Sequence, residues 1–529
     1  MTSAGVADAA ESDRTVNNSL KINKHCPNEM YTSSFTTSLA AIRGRFASLL
    51  GLAALVGLAT MLAAAVAVTG SLADEYGVWY HFLPLLILYV SAFVATAYGL
   101  ISISTRPLVQ GLVILGAAAL LRFVAFIWLF SGYPPQSGDP VVYVTMAKHL
   151  VGQGELAFYD SGLKQVFKAQ YPPLYIAILG LLSGVTSLGQ GVVFGLNLTI
   201  DLVTILAVLL VARRLGGQRA GCVGALLLAV WPSAILNCSY PQKEGLGALF
   251  AFCALVFLTI TPTKLLSTWR SALMLGVSWG ALALTQPSLA LLPVVMAPFG
   301  LLRHRWGLWV KFLIRSALTA TLILTPWWVR NYTELNAFVP LTTVSGWTFW
   351  VGNNPQATGR WMPAPIEFHG LSELELSRVA AATARTWIQE NPVDFIRVTA
   401  YKAAHAFGGD TFPSVRLRID VPDASRYLSL IKALLQGFYV LLLTHSAFVA
   451  WRLRSCHSAE AGRSAAAVMF VAGVAYLILF NVWFEFHERH TYVLRPLICI
   501  FTGVFAIAWL NQPSPPLNQP KRSNFSTRF

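Results

Sequence analysis

Eleven ionisable residues in this chain have no evident topological role: Asp139, Lys148, Lys168, Lys243, Glu244, Arg330, Glu485, His487, Glu488, Arg489 and His490. They fall beside or between apolar runs, several of them in short connectors that force them close to a bilayer surface. Charge at or in a membrane is costly and usually lines a cavity or pairs with a neighbour. A cluster of both signs at one leaflet suits a phosphorylated lipid headgroup and a polar second substrate. Lysine and arginine would hold the phosphate. A carboxylate near the reacting carbon would take a proton from an attacking hydroxyl. A phosphate leaving group is a weak base and requires no general acid.

The elements that must position these groups are membrane helices. Of 529 residues, 55% are hydrophobic and 12% charged, against about 25% charged in soluble proteins. Lipid must therefore solvate much of the chain. The net charge of +15 does not indicate nucleic acid, because no basic face is interleaved with aromatic residues. Basic residues that fix topology account for it. The six cysteines include no CxxC pair, so neither a structural disulfide nor a zinc site is expected. Residues 1–44 are polar and lack the plan of a signal peptide; they read as a disordered cytoplasmic tail.

A span needs about 20 predominantly apolar residues. The candidates are 46–69, 82–103, 108–130, 190–212, 220–238, 245–262, 271–286, 288–302, 312–328, 429–450, 464–484 and 494–510. With these twelve crossings, every basic connector falls on the side of the N-terminal tail, as the positive-inside rule requires. The apolar stretch 172–186 would flip that parity if it crossed, so it is expected to rest on the outer leaflet. Two long outer loops follow, 131–189 and 329–428. In the first, 139–151 reads as a helix with Asp139 as N-cap, Pro140 in the first turn and Gly152 at the end. In the second, 371–390 reads as a helix with Ser372 and Glu375 spaced as a capping box. Arg122 lies inside a span, where a buried structural ion pair is the expected solution.

Four stretches resemble the GT-C glycosyltransferases, specifically glycosyltransferase family 39 and its bacterial relatives. These are the polyprenyl-phosphate-mannose protein mannosyltransferases and the aminoarabinose lipid A transferases. The stretches are GDPVVYVTMAKHLVGQG (138–154), YPPLYIAILG (171–180), PWWVRN with GNNPQATG (326–331 and 352–359), and ERHTYVLRP (488–496). They follow the family order across residues 108–510. The resemblance implies that Asp139 is the catalytic carboxylate, and that Glu244 is a second acidic residue facing the cavity. It implies phosphate contacts from Lys168 and Arg489. Lys243 and Arg330, cations on the outer side, are further phosphate-ligand candidates from their positions alone, and Tyr143 and Tyr175 could line the cavity. Plainer readings exist for each. Asp139 and Glu244 sit where helix N-termini favour carboxylates, Lys168 is an ordinary loop lysine displaced from the family spacing, and the tyrosines are interface anchors or core. His487, Glu488 and His490 could join Asp139 around a divalent cation, although loop histidines of this kind usually hold nothing. No cofactor is otherwise implied.

The expected architecture is an all-α polytopic membrane protein, GT-C-like, with about twelve transmembrane helices, outer juxtamembrane helices and a small outer lobe. Its parts are a tail (1–44), an additional N-terminal helix pair (45–107) and a core (108–328) carrying the first outer loop. The outer lobe (329–428), the C-terminal helices (429–511) and a second tail (512–529) follow. The expected reaction transfers one sugar from a polyprenyl-phosphate-sugar to a lipid, glycan or protein hydroxyl. It would take place on the periplasmic face of a bacterial inner membrane, with inversion and with both termini cytoplasmic. The rivals are an oligosaccharide ligase or polymerase using a lipid pyrophosphate, and a non-catalytic transporter or flippase.

Overall fold

Apolar runs become helices wherever no proline or glycine interrupts them. The computed structural model describes residues 49–72, 106–301, 303–453 and 461–512; the expected span at 82–103 and both tails lie outside these. Helix α1 (Leu49–Leu72) is the first described element. Helix α2 (Pro107–Ala125) starts on a proline, whose missing N–H suits a first turn, and Phe126–Phe130 prolongs it as a π turn. Helices α3 (Asp139–Gln153) and α4 (Pro173–Val185) flank a hairpin of β1 (Phe158–Asp160) and β2 (Gln165–Phe167), with Phe158 opposite Phe167. The hairpin is a small addition to an otherwise helical fold. Strands of three residues are too short to display an alternating pattern.

Helix α5 (Gln190–Ala229) breaks at Gly217, where φ is 85°, and a separate α6 (Pro232–Asn237) follows. The expected single span over 220–238 is thus two pieces. Pro232 lacks an N–H and holds Trp231 in extended backbone. Next come α7 (Glu244–Ile260), α8 (Trp269–Thr285), α9 (Leu292–Leu301) and α10 (Trp306–Leu335). Pro287 separates α8 from α9 through one 3-10 turn, Pro287–Leu289. Four further helices follow: α11 (Ser345–Gly352), α12 (Glu373–Glu390), α13 (Pro392–Gly408) and α14 (Phe412–Asp420). Helix α12 opens on the Ser372–Glu375 capping box that the spacing predicts. The chain ends in α15 (Leu428–Leu453), α16 (Ala461–Tyr476) and α17 (Leu494–Leu510).

Among the described residues six helices are long and apolar enough to cross a membrane: α1, α2 with its π turn, α5, α10, α15, and α16 continued to Asn481. Helix α4 has 13 residues, about 20 Å of helix against a hydrocarbon core of about 30 Å. Leu108, Leu112, Leu120, Trp128 and Leu322 are exposed, an apolar belt of the kind that lipid covers. Helix α17 is buried along nearly its whole length and packs on α5. Glycines make this approach possible, since a Cβ at Gly503 would lie 2.6 Å from the Ala220 carbonyl oxygen.

Arg122 finds the partner its position demands. Its Nε donates to Asp201 at 2.8 Å, and its Nη atoms reach the Ala229 and Leu228 carbonyls that end α5. Truncation to Ala leaves Asp201 and those carbonyls without their donor. We expect Arg122→Ala to lose about 3 kcal/mol of stability, measured as a lowered unfolding midpoint in detergent.

Candidate active site

Asp139 stands at the first position of α3, and the N-cap is Gly138. This corrects the expectation that Asp139 caps the helix. Gly138 has φ 69°, and a Cβ there would lie 2.9 Å from the Arg416 guanidinium; only glycine accommodates both. Arg416 also donates to the Ser137 carbonyl at 2.8 Å, and Asp420 accepts the Gln136 amide at 2.9 Å. Helix α14 thereby holds the entry to α3. The Asp139 side chain, free of capping, accepts from Tyr171 Oη at 2.9 Å and from Arg489 Nη1 at 2.6 Å.

Arg489 comes from the connector before α17, on a 3-10 turn (Glu488–Thr491) whose cap is His487. Its guanidinium lies among three carboxylates: Asp139, Glu244 Oε1 at 3.9 Å and Glu485 Oε1 at 3.8 Å. Glu244 opens α7 with its side chain 2% exposed, and Lys243 Nζ lies 4.0 Å from it. Tyr143, on α3, meets Tyr171 and Tyr175 edge-on, with Lys243 6.0 Å above its ring. The structure therefore brings together Asp139, Tyr143, Lys243, Glu244 and Arg489 from three separate parts of the chain. Tyr143 Oη, Glu244 Oε2, Glu485 Oε1 and Arg489 Nε are buried without a hydrogen-bond partner among the described residues. These atoms lie beside the ion pairs of Arg489 with Glu244 and Glu485, so the cluster is both charged and buried.

Burial pushes the Asp139 carboxyl up, but the Arg489 and Lys243 charges, with the hydrogen bonds from Tyr171 and Arg489, outweigh it. They hold it well below the usual carboxylate range. Burial and the Asp139 charge push the Tyr171 phenol well up, so it remains a donor. Burial, then the neighbouring Arg489, keeps His487 neutral.

Lys168, Arg330 and Tyr175 have other partners. Lys168 Nζ pairs with Glu334 at 2.6 Å, with both side chains 39% exposed. Arg330 lies inside α10, which continues past the expected end at 328. It donates to the carbonyls of Lys168 at 2.7 Å and Leu156 at 2.9 Å. Tyr175 donates to Asn197 at 3.0 Å and is fully buried. An exposed ion pair contributes about 0–1 kcal/mol. Lys168→Met should accordingly leave Tm within about 2 °C of wild type, and leave substrate turnover within about threefold.

Sequence reasoning counted Glu485 among the outer charges without giving it a role, and it singled out neither Tyr171 nor Lys402 for the site. Glu485 carried a legible signal, being four residues before Arg489. Lys402 carried none. It is fully buried and donates to the carbonyls of Gly352 at 2.8 Å and Phe484 at 3.2 Å, tying GNNPQATG to the Arg489 connector. Burial lowers its pKa to about 7. Glu488 is committed elsewhere, accepting the amide and hydroxyl of Thr411 and lying 3.6 Å from Arg360. Among the described residues no group of three or more His, Cys, Asp or Glu is placed to hold a metal ion.

The fold defines an all-α polytopic membrane protein with a charged site where α3, α7 and the connector before α17 meet. No family model and no curated protein matches the chain. Among solved structures it is similar to the Archaeoglobus fulgidus oligosaccharyltransferase in the apo form, at 13% identity and TM-score 0.45 over 75% of this chain and 50% of that one. It is similar to AglB from the same organism in complex with an inhibitory peptide and a dolichol-phosphate, at 12% identity and TM-score 0.43, over 76% and 50% of the chains. It is also similar to ArnT from Cupriavidus metallidurans bound to undecaprenyl phosphate, at 15% identity and TM-score 0.37, over 75% and 76%. The chain spans about half the length of the archaeal oligosaccharyltransferase.

Proposed function

We propose that the chain is a GT-C-type glycosyltransferase. It moves one sugar from a polyprenyl-phosphate-sugar to a hydroxyl of a lipid, glycan or protein, with inversion, on the outer face of a bacterial inner membrane. The observation that carries this reading is Asp139, a carboxylate freed from capping that faces the cations Arg489 and Lys243 in a buried cluster with Tyr143, Glu244 and Glu485. The acceptor oxygen bonds to the anomeric carbon and gives its proton to Asp139. The bond from that carbon to the phosphate oxygen breaks, and its electron pair leaves with the polyprenyl phosphate. Arg489 and Lys243 hold this phosphate, while Glu244 and Tyr143 meet sugar hydroxyls.

Donor binding and base activation are coupled through Arg489. In the free protein Arg489 occupies Asp139, which makes a weak base. A donor phosphate competes for the guanidinium. Once Arg489 turns to it, burial raises the Asp139 pKa and the carboxylate becomes a better base. The charge count favours a monophosphate donor. Lys243 and Arg489 already face Asp139, Glu244 and Glu485, and a phosphodiester adds one negative charge where a pyrophosphate adds two. A transporter would hold its polar site near the midplane, whereas this cluster gathers at helix ends. The basic connectors support cytoplasmic termini and an outward-facing site.

The test is transfer by protein in liposomes from radiolabelled polyprenyl-monophosphate sugars, with pyrophosphate-linked oligosaccharides in parallel. Transfer from a monophosphate donor is expected. Transfer from pyrophosphate donors alone would establish the ligase reading instead.

A further inference from the structure

We propose that Glu373, at the head of helix α12, is a positioning residue that sets the hydrogen bond from Tyr171 to Asp139. This rests on Asp139 being the reacting carboxylate. Glu373 is 4% exposed. One carboxylate oxygen accepts the Lys168 amide at 2.8 Å; the other accepts the Ala169 amide at 2.9 Å and the Thr343 hydroxyl at 2.5 Å. The opposite edge of the same two residues is held as well. Arg330 donates to the Lys168 carbonyl at 2.7 Å, and the Thr343 amide donates to the Ala169 carbonyl at 3.0 Å. All four backbone polar groups of Lys168 and Ala169 are thus fixed by residues more than 150 positions away in sequence.

Tyr171 follows two residues later and donates to Asp139. Pro172 and Pro173 stand immediately after it and begin α4, which restricts the backbone on that side. Tyr171 is therefore carried on a short stiff segment, clamped by Glu373 at one end and by a proline pair at the other. Helix α12 has no need of Glu373 as a cap, because Ser372 and Glu375 already form its capping box. The carboxylate instead reaches away from its own helix to the loop. Helix α12 and the reacting carboxylate are in this way mechanically joined. A shift of α12 moves Tyr171, and a lengthened Tyr171 hydrogen bond raises the pKa of Asp139 and disturbs its aim.

The test uses the full-length protein with Glu373→Gln, which retains size but offers an N–H where an acceptor is required. kcat should fall about tenfold with KM changed less than about twofold, the pattern of a misplaced reacting group. The acid limb of kcat, which reports the substrate-bound enzyme, should move to higher pH, because a hydrogen bond that stabilises ionised Asp139 has been weakened. Tyr171→Phe should move the limb the same way, and the double variant should move it no further. Thr343→Val, a milder change to the same latch, should give a smaller shift in the same direction. Hydrogen exchange at the Lys168 and Ala169 amides should quicken in Glu373→Gln and stay unchanged in Tyr171→Phe. A limb that does not move in Glu373→Gln, or additive shifts in the double variant, would overturn the proposal. So would unchanged exchange at those amides. The exchange measurement stands apart from the functional reading: a wild-type protein that transfers no sugar would sink that reading, while the amides still decide whether the latch exists.

Discussion

Asp139→Asn protein should transfer sugar about a thousandfold more slowly than wild type, the loss typical of removing a general base. Asparagine keeps the shape of the side chain, but it has one acceptor oxygen where Asp139 uses two, so it keeps the bond from Tyr171 or the one from Arg489 and not both. It cannot take a proton at neutral pH, and it carries no charge to hold Arg489. Donor affinity should therefore be unchanged or tighter, since Arg489 no longer has to leave a carboxylate. The measurement is single-turnover transfer together with equilibrium binding of a polyprenyl-phosphate-sugar. A variant within tenfold of wild type in rate would remove Asp139 from the mechanism, and weakened donor binding would contradict the competition for Arg489.

Arg489→Gln should be the second severe lesion, for a different reason. It removes the guanidinium that faces Asp139, Glu244 and Glu485, leaving three carboxylates with Lys243. Donor binding should weaken about a hundredfold, because a charged hydrogen-bond partner of the phosphate is lost. The pH dependence should change as well. In wild type the Asp139 carboxyl is held well below its usual range, so kcat/KM should show no acid limb from it near neutrality. Without Arg489, burial is opposed only by Lys243 and the Tyr171 hydrogen bond, and the carboxyl titrates higher. An acid limb should then enter the measurable range. Stability follows the same sign. A depressed carboxyl contributes stability that is present above its unfolded pKa and lost as pH falls through its folded value. The gap in Tm between wild type and Arg489→Gln should be widest at neutral pH and narrow on acidification. A gap independent of pH would mean that Asp139 is not the group Arg489 stabilises.

The membrane class, the position of most apolar helices and the head of α12 were legible in the residues. Each depends on local properties: runs of apolar side chains, a proline able to start a helix, a Ser and a Glu three apart. Local reasoning erred where two local rules pointed the same way. Asp139 before Pro140 has the form of an N-cap, yet Gly138 takes the cap because φ 69° is open to glycine. The carboxylate is then available to Tyr171 and Arg489. The stretch 220–238 is broken for the same kind of reason, since hydropathy does not register the break that Pro232 imposes on Trp231.

What the sequence determined by itself was which residues bear charge beside the apolar runs, and that lipid solvates much of the chain. Hydropathy and charge are properties of short segments, so they survive without the fold. Only the tertiary structure decided which of those charges meet. Lys168 and Arg330 have the same residue types as Lys243 and Arg489, yet they serve the loop and its ion pair with Glu334, while the latter two face Asp139 and Glu244. The direction of a side chain is set by the packing of helices distant in sequence: α12 on the 168–169 loop, α14 on Gly138, and the connector before α17 on α3. No pattern within a single segment encodes those contacts.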